Sequence, residues 1–442
     1  MDALTRRFDL EAHGTTVRTE VLAGVTTFLT MAYIVFVQPA VLSAAGMDFG
    51  AVLTATCLAT AFATLLMAFL ANYPIAVAPA MGHNFFFAYS VVVGMKVPWP
   101  VALGGVAIAG IAFVLTAGVG LREHVITAIP QSLKHAIAAG IGLLIATVGL
   151  EWAGLIVAAP GTFITLGDLH SRPVLLALSG LTLTSILIVR KIPGAFLWGM
   201  LATTAAGIPA GIVHYQGLVS APPSIAPTLL KLDIAGALSP GMITVVLVFF
   251  FLALFDSIGT LVGVGEQAGL MRNGTLPRAR QALLADAIGT IAGAFLGTST
   301  VTAYIESGAG VAAGGRTGLA SVVTALLFLA SLFAFPLVKM IGGGYPVGQT
   351  ATLYPVIATP LILVGSMMIG GLRYVTWSDP TESIPAFLTV MLMPLSVSIT
   401  EGVAFGLISF VVLKVAAGRR REVHVLLYIC AALFVARYAF LR

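Results

Sequence analysis

Runs of about 20 apolar residues, the length that crosses a hydrocarbon core, recur along this whole chain. The pattern predicts membrane-spanning helices over 20–43, 51–70, 76–94, 98–118, 133–150, 172–190 and 194–214. A polar, Pro-rich stretch follows at 217–240. A second set lies at 241–265, 280–297, 299–313, 317–338, 352–371, 382–398 and 400–417. The expected architecture is therefore an all-α polytopic membrane protein with about 14 spans, arranged as seven plus seven. The expected divisions are a tail (1–19), a first repeat (20–216), a linker (217–240), a second repeat (241–417), and a basic turn with an apolar C-terminal segment (418–442). That last segment, 423–441, fits either an extra span or a helix on the membrane surface. Residues 1–20 are polar and lack a cleavable signal pattern, so the first span is expected to be retained.

Two of the spans are irregular in matching places. The first reads Pro74-Ile-Ala-Val-Ala-Pro-Ala-Met-Gly-His-Asn84, followed by Phe85 to Phe87; the second reads Gly297-Thr-Ser-Thr-Val-Thr-Ala-Tyr-Ile-Glu306-Ser-Gly-Ala-Gly. Each opens on residues suited to extended backbone, reaches one strongly polar side chain, and continues as a short apolar helix. Extended backbone at mid-membrane leaves N–H and C=O groups unpaired unless protein surrounds it or it lines a cavity. Two such segments can satisfy each other as a short antiparallel bridge, from which two half-helices start. Their N-terminal N–H groups then converge on one spot. A pair of broken spans in corresponding halves is the best sequence pointer to a transporter's substrate site.

Charge fixes an expected orientation. With the N-terminus cytoplasmic and 14 spans, 16 of the 22 Lys and Arg fall inside: Arg6, Arg7, Arg18, Arg122, Lys134, Arg190, Lys191, Arg272, Arg278, Arg280, Arg316, Arg373, Lys414 and Arg419 to Arg421. Only Lys96, Arg172, Lys231 and Lys339 fall outside, and the remaining two, Arg437 and Arg442, lie in the tail. Seven spans per half is odd, so similar halves are expected to be inverted relative to each other. The chain is 59% hydrophobic and 9% charged, with mean hydropathy +1.05, which no soluble surface permits. The net charge of +5 points to anionic lipid headgroups and not to nucleic acid. Cys57 and Cys430 lie in apolar runs, so neither a disulfide framework nor a metal site is expected. No GxxxxGK[ST] loop is present, and no Ser/His/Asp set marks a hydrolase. An enzyme and a nucleotide-driven pump are both disfavoured, and no cofactor is expected. A channel would need a continuous polar lining, whereas the polar residues here cluster at two broken spans.

Three carboxylates lie within the spans: Asp256, Asp286 and Glu306. A charge at the bilayer centre costs at least about 2.5–3.5 kcal/mol, so each needs a partner or a function. Asp256 and Glu306 are the candidates for substrate binding and proton coupling. Asp286, near Arg278 and Arg280 in sequence, is expected to pair or cap. Asn84 can donate and accept, which suits a nucleobase or amide edge, and the alternative of a helix N-cap is compatible with that role. Phe85 to Phe87 can offer an aromatic face. Thr27 and Thr30 are polar points on the first span, where back-bonding to their own helix competes. His83 and His135 are weaker candidates, and His135 is expected at the cytoplasmic surface.

Four ordered motifs carry a resemblance over nearly the whole chain. They are Gly24-Val-Thr-Thr-Phe-Leu-Thr-Met-Ala-Tyr-Ile-Val-Phe-Val-Gln-Pro39, Ala78-Pro-Ala-Met-Gly-His-Asn84-Phe-Phe-Phe-Ala-Tyr89, Phe255-Asp-Ser-Ile-Gly-Thr-Leu261, and Gly297 to Ser307 with Ala312-Ala-Gly-Gly-Arg-Thr-Gly318. The chain resembles the azaguanine-resistance-type purine permeases, within the nucleobase–cation symporter family that includes uracil and xanthine permeases. The resemblance implies two inverted seven-span repeats. A core domain would come from 20–118 and 241–338 and a gate domain from 133–214 and 352–417, with spans 3 and 10 half strand and half helix. It implies proton-coupled import of hypoxanthine, guanine or adenine across the cytoplasmic (inner) membrane by alternating access. The alternative is another small solute, such as uracil, xanthine or an anion, on the same fold. The implied substrate contacts are Asn84, Asp256, Glu306 and Thr27, with Phe85, Thr260, Ile305 and Ser307 beside them in the motifs. Partners are then a purine base, a proton and membrane lipid, with a homodimer as a further expectation. Two departures bear on which purine is preferred: relatives often carry an acid where this chain has Ala253, and an Asn where it has Gln38.

Overall fold

The computed structural model describes residues 2–119, 130–159, 161–271, 276–347 and 351–440. Arg122, Arg272 and Arg442, which enter the charge pattern above, lie outside these. Eight helical stretches among the described residues, from Val17–Ser43 to Ile399–Ala416, are long and apolar enough to cross a membrane. The remaining apolar helices are shorter or broken. Large apolar side chains such as Leu115, Ile186, Phe387 and Val412 stand exposed, as expected where lipid replaces water.

In chain order the first half holds α1 (Val17–Met31), α2 (Tyr33–Ser43), α3 (Phe49–Leu66), β1 (Val77–Pro79), α4 (Met81–Phe85, continuing in wider turns to Gly94), α5 (Trp99–Val119), α6 (Gln131–Trp152), the hairpin β2 (Ile156–Ala159) and β3 (Phe163–Leu166), α7 (Arg172–Val189) and α8 (Ala195–Gly207). The second half holds α9 (Ile243–Gln267), α10 (Ala279–Leu296), β4 (Val301–Ala303), α11 (Ser307–Ala312), α12 (Gly318–Ser331), α13 (Phe335–Gly342), the hairpin β5 (Tyr345–Val347) and β6 (Ala351–Leu353), α14 (Ala358–Met368), α15 (Pro380–Ser396), α16 (Ile399–Ala416) and α17 (Val425–Phe440). Local chemistry starts several of these helices. Asp48, Asp379 and Ser398 each accept a backbone N–H as N-caps of α3, α15 and α16.

The expected strand bridge is present. β1 and β4 pair antiparallel, with Val77 opposite Ala303, Ala78 opposite Thr302 and Pro79 opposite Val301. Every residue of both strands is buried, so side chains must supply what a wider sheet would. Thr64 Oγ1 of α3 accepts from Val77 N and donates to Val77 O, both at 3.0 Å. Thr290 of α10 does the same for Val301, at 3.3 and 2.7 Å. Ser307 Oγ accepts Ala76 N at 3.0 Å, and Asp286 Oδ2 accepts Ala303 N at 3.1 Å. Asp286 therefore sits in mid-helix, fully buried, holding a strand. The expected pairing with Arg278 or Arg280 is not what the structure shows: Arg278 instead stacks over Tyr73. The reason is demand, since the strand's N–H has no ladder partner on that side.

Helices α3, α9 and α10 pack on this bridge, with α5 on α10, α12 on α3 and α1, and α11 on α1; α6 packs on α14 and α15, α15 on α16, and α7 on α8. The linker is not loose. Leu230 N donates to Phe295 O and Asp233 N to Pro100 O, both at 2.8 Å. Glu20 is another buried carboxylate. Its two oxygens accept Arg316 N, Thr317 N and Ala320 N at 2.8–3.3 Å, capping α12 from across the chain, where the helix dipole favours an acid. Helix α17 folds back along α16, its Arg437 and Tyr438 reaching Glu401 in the first turn of α16. It therefore runs beside α16 and does not lie across its end.

Candidate functional site

Where the two half-helices begin, the first span breaks. α1 ends at Met31 and α2 restarts at Tyr33. Thr30 Oγ1 lies 3.1 and 2.8 Å from the carbonyls of Thr26 and Thr27, the back-bonding that bends helices. The same hydroxyl stands 3.3 Å from Glu306 O. Tyr33 Oη, just past the break, donates to Glu306 Oε1 at 2.6 Å. Glu306 is the N-cap residue of α11, and close packing brings α11 onto α1. A Cβ at Gly310 would fall 2.0 Å from Thr27 Oγ1, so only glycine fits there.

Asp256 lies near the middle of α9. Thr302 Oγ1, in the centre of β4, donates to its Oδ2 at 2.9 Å. Asp256 and Glu306 are thus both tied by hydroxyl donors to the same junction, one from the strand and one from the broken first span. Asp256, Thr260 and Ile305 line a cavity of about 690 Å³. Phe251 and Phe255 of α9 add an aromatic wall to it, their rings parallel to within 8° at 6.0 Å. His83, Lys134 and His135 also line this cavity. Sequence reasoning undervalued the two histidines and gave Lys134 only a topological role. The signal available was their placement at the starts of α4 and α6, beside the broken span.

The other expected site residues occupy the packing around the cavity. Asn84 is fully buried inside α4, whose N-cap is Ala80, so it is not the cap. Ser299 Oγ donates to Asn84 Oδ1, and Gln38 Nε2 donates to Thr298 Oγ1 at 2.9 Å and to Ser299 Oγ at 3.3 Å. This buried polar chain joins α2, α4 and the approach to β4. Phe85 stacks on Tyr89, 5.5 Å and 11° apart, and also meets Trp152 of α6. Ser307 and Thr27 are buried, and Ser307 Oγ accepts Ala76 N just ahead of β1. No group of three or more His, Cys, Asp or Glu able to hold a metal occurs among the described residues.

An antiparallel strand pair at the heart of an apolar helical protein, with two half-helices starting from it, one carboxylate on a cavity wall and a second bonded at the same junction, defines a membrane transporter. The same fold appears in the transmembrane domain of a cyanobacterial bicarbonate transporter, BicA. That structure matches at a TM-score of 0.62 and 18% identity, over 86% of this chain and 96% of that one. The model Xan_ur_permease, described as Permease family, matches residues 18–405. The chain belongs to this family of transporters, whose curated relatives are permeases and not enzymes. Adenine permease AdeP of Escherichia coli is 47% identical over 99% of this chain and 96% of its own length. Guanine/hypoxanthine permease PbuG of Bacillus subtilis is 43% identical over 98% of this chain and 99% of its own.

Proposed function

We propose that this chain imports a purine nucleobase together with a proton, by alternating access. The observation that carries the reading is the pair of carboxylates, Asp256 and Glu306, held by Thr302 and Tyr33 at one junction beside a cavity. Carboxylates accept N–H groups, and a purine presents them along its edge. The relatives named for adenine and for guanine and hypoxanthine support the same substrate class. An anion is the poorer fit, because two acids would repel it, and fold alone does not fix the substrate.

In this reading Asp256 and Glu306 bind the base, and Glu306 cycles the proton. Thr260 and Ile305 contact the base, while Asn84, Phe85, Thr27 and Ser307 hold the half-helices in place. The helices around the strand bridge act as the core domain and those packed on α6 as the gate. The fourteen-span count, the inverted repeats, the cytoplasmic N-terminus, the inner-membrane location and a homodimer belong to the same proposal. The test is uptake of labelled hypoxanthine, guanine, adenine, uracil and sulfate in cells lacking their own carriers. Saturable purine uptake that collapses with the proton gradient is expected. Carriage of sulfate without purine would overturn the assignment.

A further inference from the structure

The cavity beside Asp256 also reaches α16 and α17. Leu247 and Val248 of α9, Leu407 of α16, and Cys430, Leu433 and Phe434 of α17 all line it. None of these six carries a strong hydrogen-bonding group. An apolar lining of this kind holds no ordered water, so the occupant that fits it is itself apolar. Helix α17 shows a way in. Leu427, Cys430 and Phe434 are buried, whereas Val425, Ile429 and Leu433, four residues apart, form one row along the outside. That row is 68%, 52% and 38% exposed in turn, and its last member lines the cavity. The row is an apolar track from the foot of α17 to the mouth of the cavity. It is roughly 12 Å long, within one leaflet of a hydrocarbon core about 30 Å thick. The foot of the track is basic. Arg420 and Arg421 are exposed, and neither forms an ion pair among the described residues. The nearby acids Asp379, Glu382 and Glu422 are engaged by Arg419 and Lys414. Two guanidinium groups at the end of an apolar track match a phosphate at the end of an acyl chain.

We propose that an anionic phospholipid binds here, with its phosphate on Arg420 and Arg421 and one acyl chain along Val425, Ile429 and Leu433. The tip of that chain enters the cavity beside Cys430, Phe434 and Leu247. The site stands apart from the purine reading and holds whatever solute the cavity carries. The chain tip touches α9, which packs on the strand bridge, and α17, which packs on α16, so the lipid is a ligand of the cavity and not only its solvent. The test is photo-crosslinking of the full-length protein in phosphatidylcholine vesicles, with mass spectrometry locating the adducts. One arm adds phosphatidylglycerol carrying a diazirine at the tip of one acyl chain, and the other adds phosphatidylcholine with the same photo-reactive chain. Adducts are expected on Cys430, Phe434, Leu247 or Val248. The phosphatidylglycerol yield should exceed the phosphatidylcholine yield by roughly tenfold or more, the range for two basic residues facing an anionic lipid. Arg420→Gln combined with Arg421→Gln should bring the first yield down to the second and leave the melting temperature unchanged. Adducts confined to outward residues such as Ile429 and Val435 would show that the chain stays outside the cavity and would overturn the proposal. So would equal yields from the two lipids, a phosphatidylglycerol preference that survives both substitutions, or no adduct on α17 at all.

Discussion

Tyr33 Oη and Glu306 Oε1 are 2.6 Å apart, joining the restart of the broken first span to the residue that opens the second half-helix. The two lie far apart in sequence, and each stands at an interruption of its own span. Glu306 therefore feels any change in the angle between α1 and α2, and the first span feels any change in what Glu306 binds.

Glu306→Gln keeps the shape and can still accept from Tyr33, but it cannot release a proton. It is expected to retain measurable purine binding and lose accumulation against a gradient. Tyr33→Phe removes the donor and leaves the carboxylate in place, at a cost of about 1.5–3 kcal/mol. That variant should transport more slowly but still concentrate substrate. Proteoliposomes with an imposed proton gradient separate the two, and full accumulation by Glu306→Gln would sink its proposed role.

Asp256 is placed to be a ligand more than a relay. The strand hydroxyl of Thr302 donates to it, and it lines the cavity. Asp256→Asn should weaken purine binding more than it changes the dependence of uptake on the proton gradient. Thr302→Val, which keeps the shape and deletes the donor, should have the same effect in milder form, about 1–3 kcal/mol in binding. Equilibrium binding and gradient-driven uptake on the same preparations give the comparison. A coupling defect without a binding defect would reverse the assignment of the two acids.

The strand bridge was legible because Pro, Gly and β-branched residues at matched places deny the backbone a helix, and the membrane denies it water. Glu306 was legible for the same reason, as the first polar residue after such a run. Asp286 was visible, but its partner was not: a backbone N–H 17 positions away in sequence leaves no trace in residue type. Glu20 hid among the polar residues of the N-terminal segment, although its role is set by the orphan N–H groups of α12. Lys134 and His135 stood at a predicted span edge, and the direction in which such side chains turn depends on packing. Phe85 to Phe87 offered three rings, and sequence cannot tell which face a neighbouring Trp152 will claim.

A contact between the continuation of α4 and the junction of α15 and α16 carries a prediction about stability. Ser90 Oγ, in the continuation of α4, donates to Val397 O at 3.3 Å and accepts Ile399 N at 3.2 Å. Val397 has φ of +49°, the left-handed region that a β-branched residue adopts only under constraint. Ser90→Ala should destabilise the protein by about 1–3 kcal/mol, because it leaves the buried Ile399 N–H without its acceptor and takes a donor from Val397 O. Val397→Gly should move the other way, since the left-handed conformation costs an L-residue about 1–2 kcal/mol that glycine does not incur. Thermal unfolding of the purified protein reads both signs. A Val397→Gly protein less stable than wild type would show that the side chain's packing outweighs the strain.

The ion network at the far end of α16 responds to pH in a direction that can be worked out. Arg419 donates to Asp379 and to Glu422, while the buried Lys414 ammonium lies 2.7 Å from Glu382 and 2.9 Å from Glu422. The hydrogen bond from Arg419, aided by Thr381, holds Asp379 down to about 2. Arg419 and then Lys414 hold Glu422 down to about 2. Both carboxyls are therefore more acidic folded than unfolded, where about 4 is the ordinary value. A group lowered in this way contributes stability that is fully present above its unfolded value and is lost as pH falls through the folded one. Between neutral pH and about pH 4 the network should hold its contribution, and from there down to about pH 2 it should surrender it. Arg419→Met removes the main donor to both acids, so it should unfold at lower temperature than wild type at pH 7. The gap between the two should then narrow as the pH is brought down through 4 toward 3. The basic root of α17 follows directly on Arg419, so the same variant should loosen α17 from its place along α16, which labelling of the buried Cys430 with a maleimide would report. A gap in melting temperature that stays constant from pH 7 to pH 3 would mean that Arg419 stabilises this corner by packing alone and not through Asp379 and Glu422.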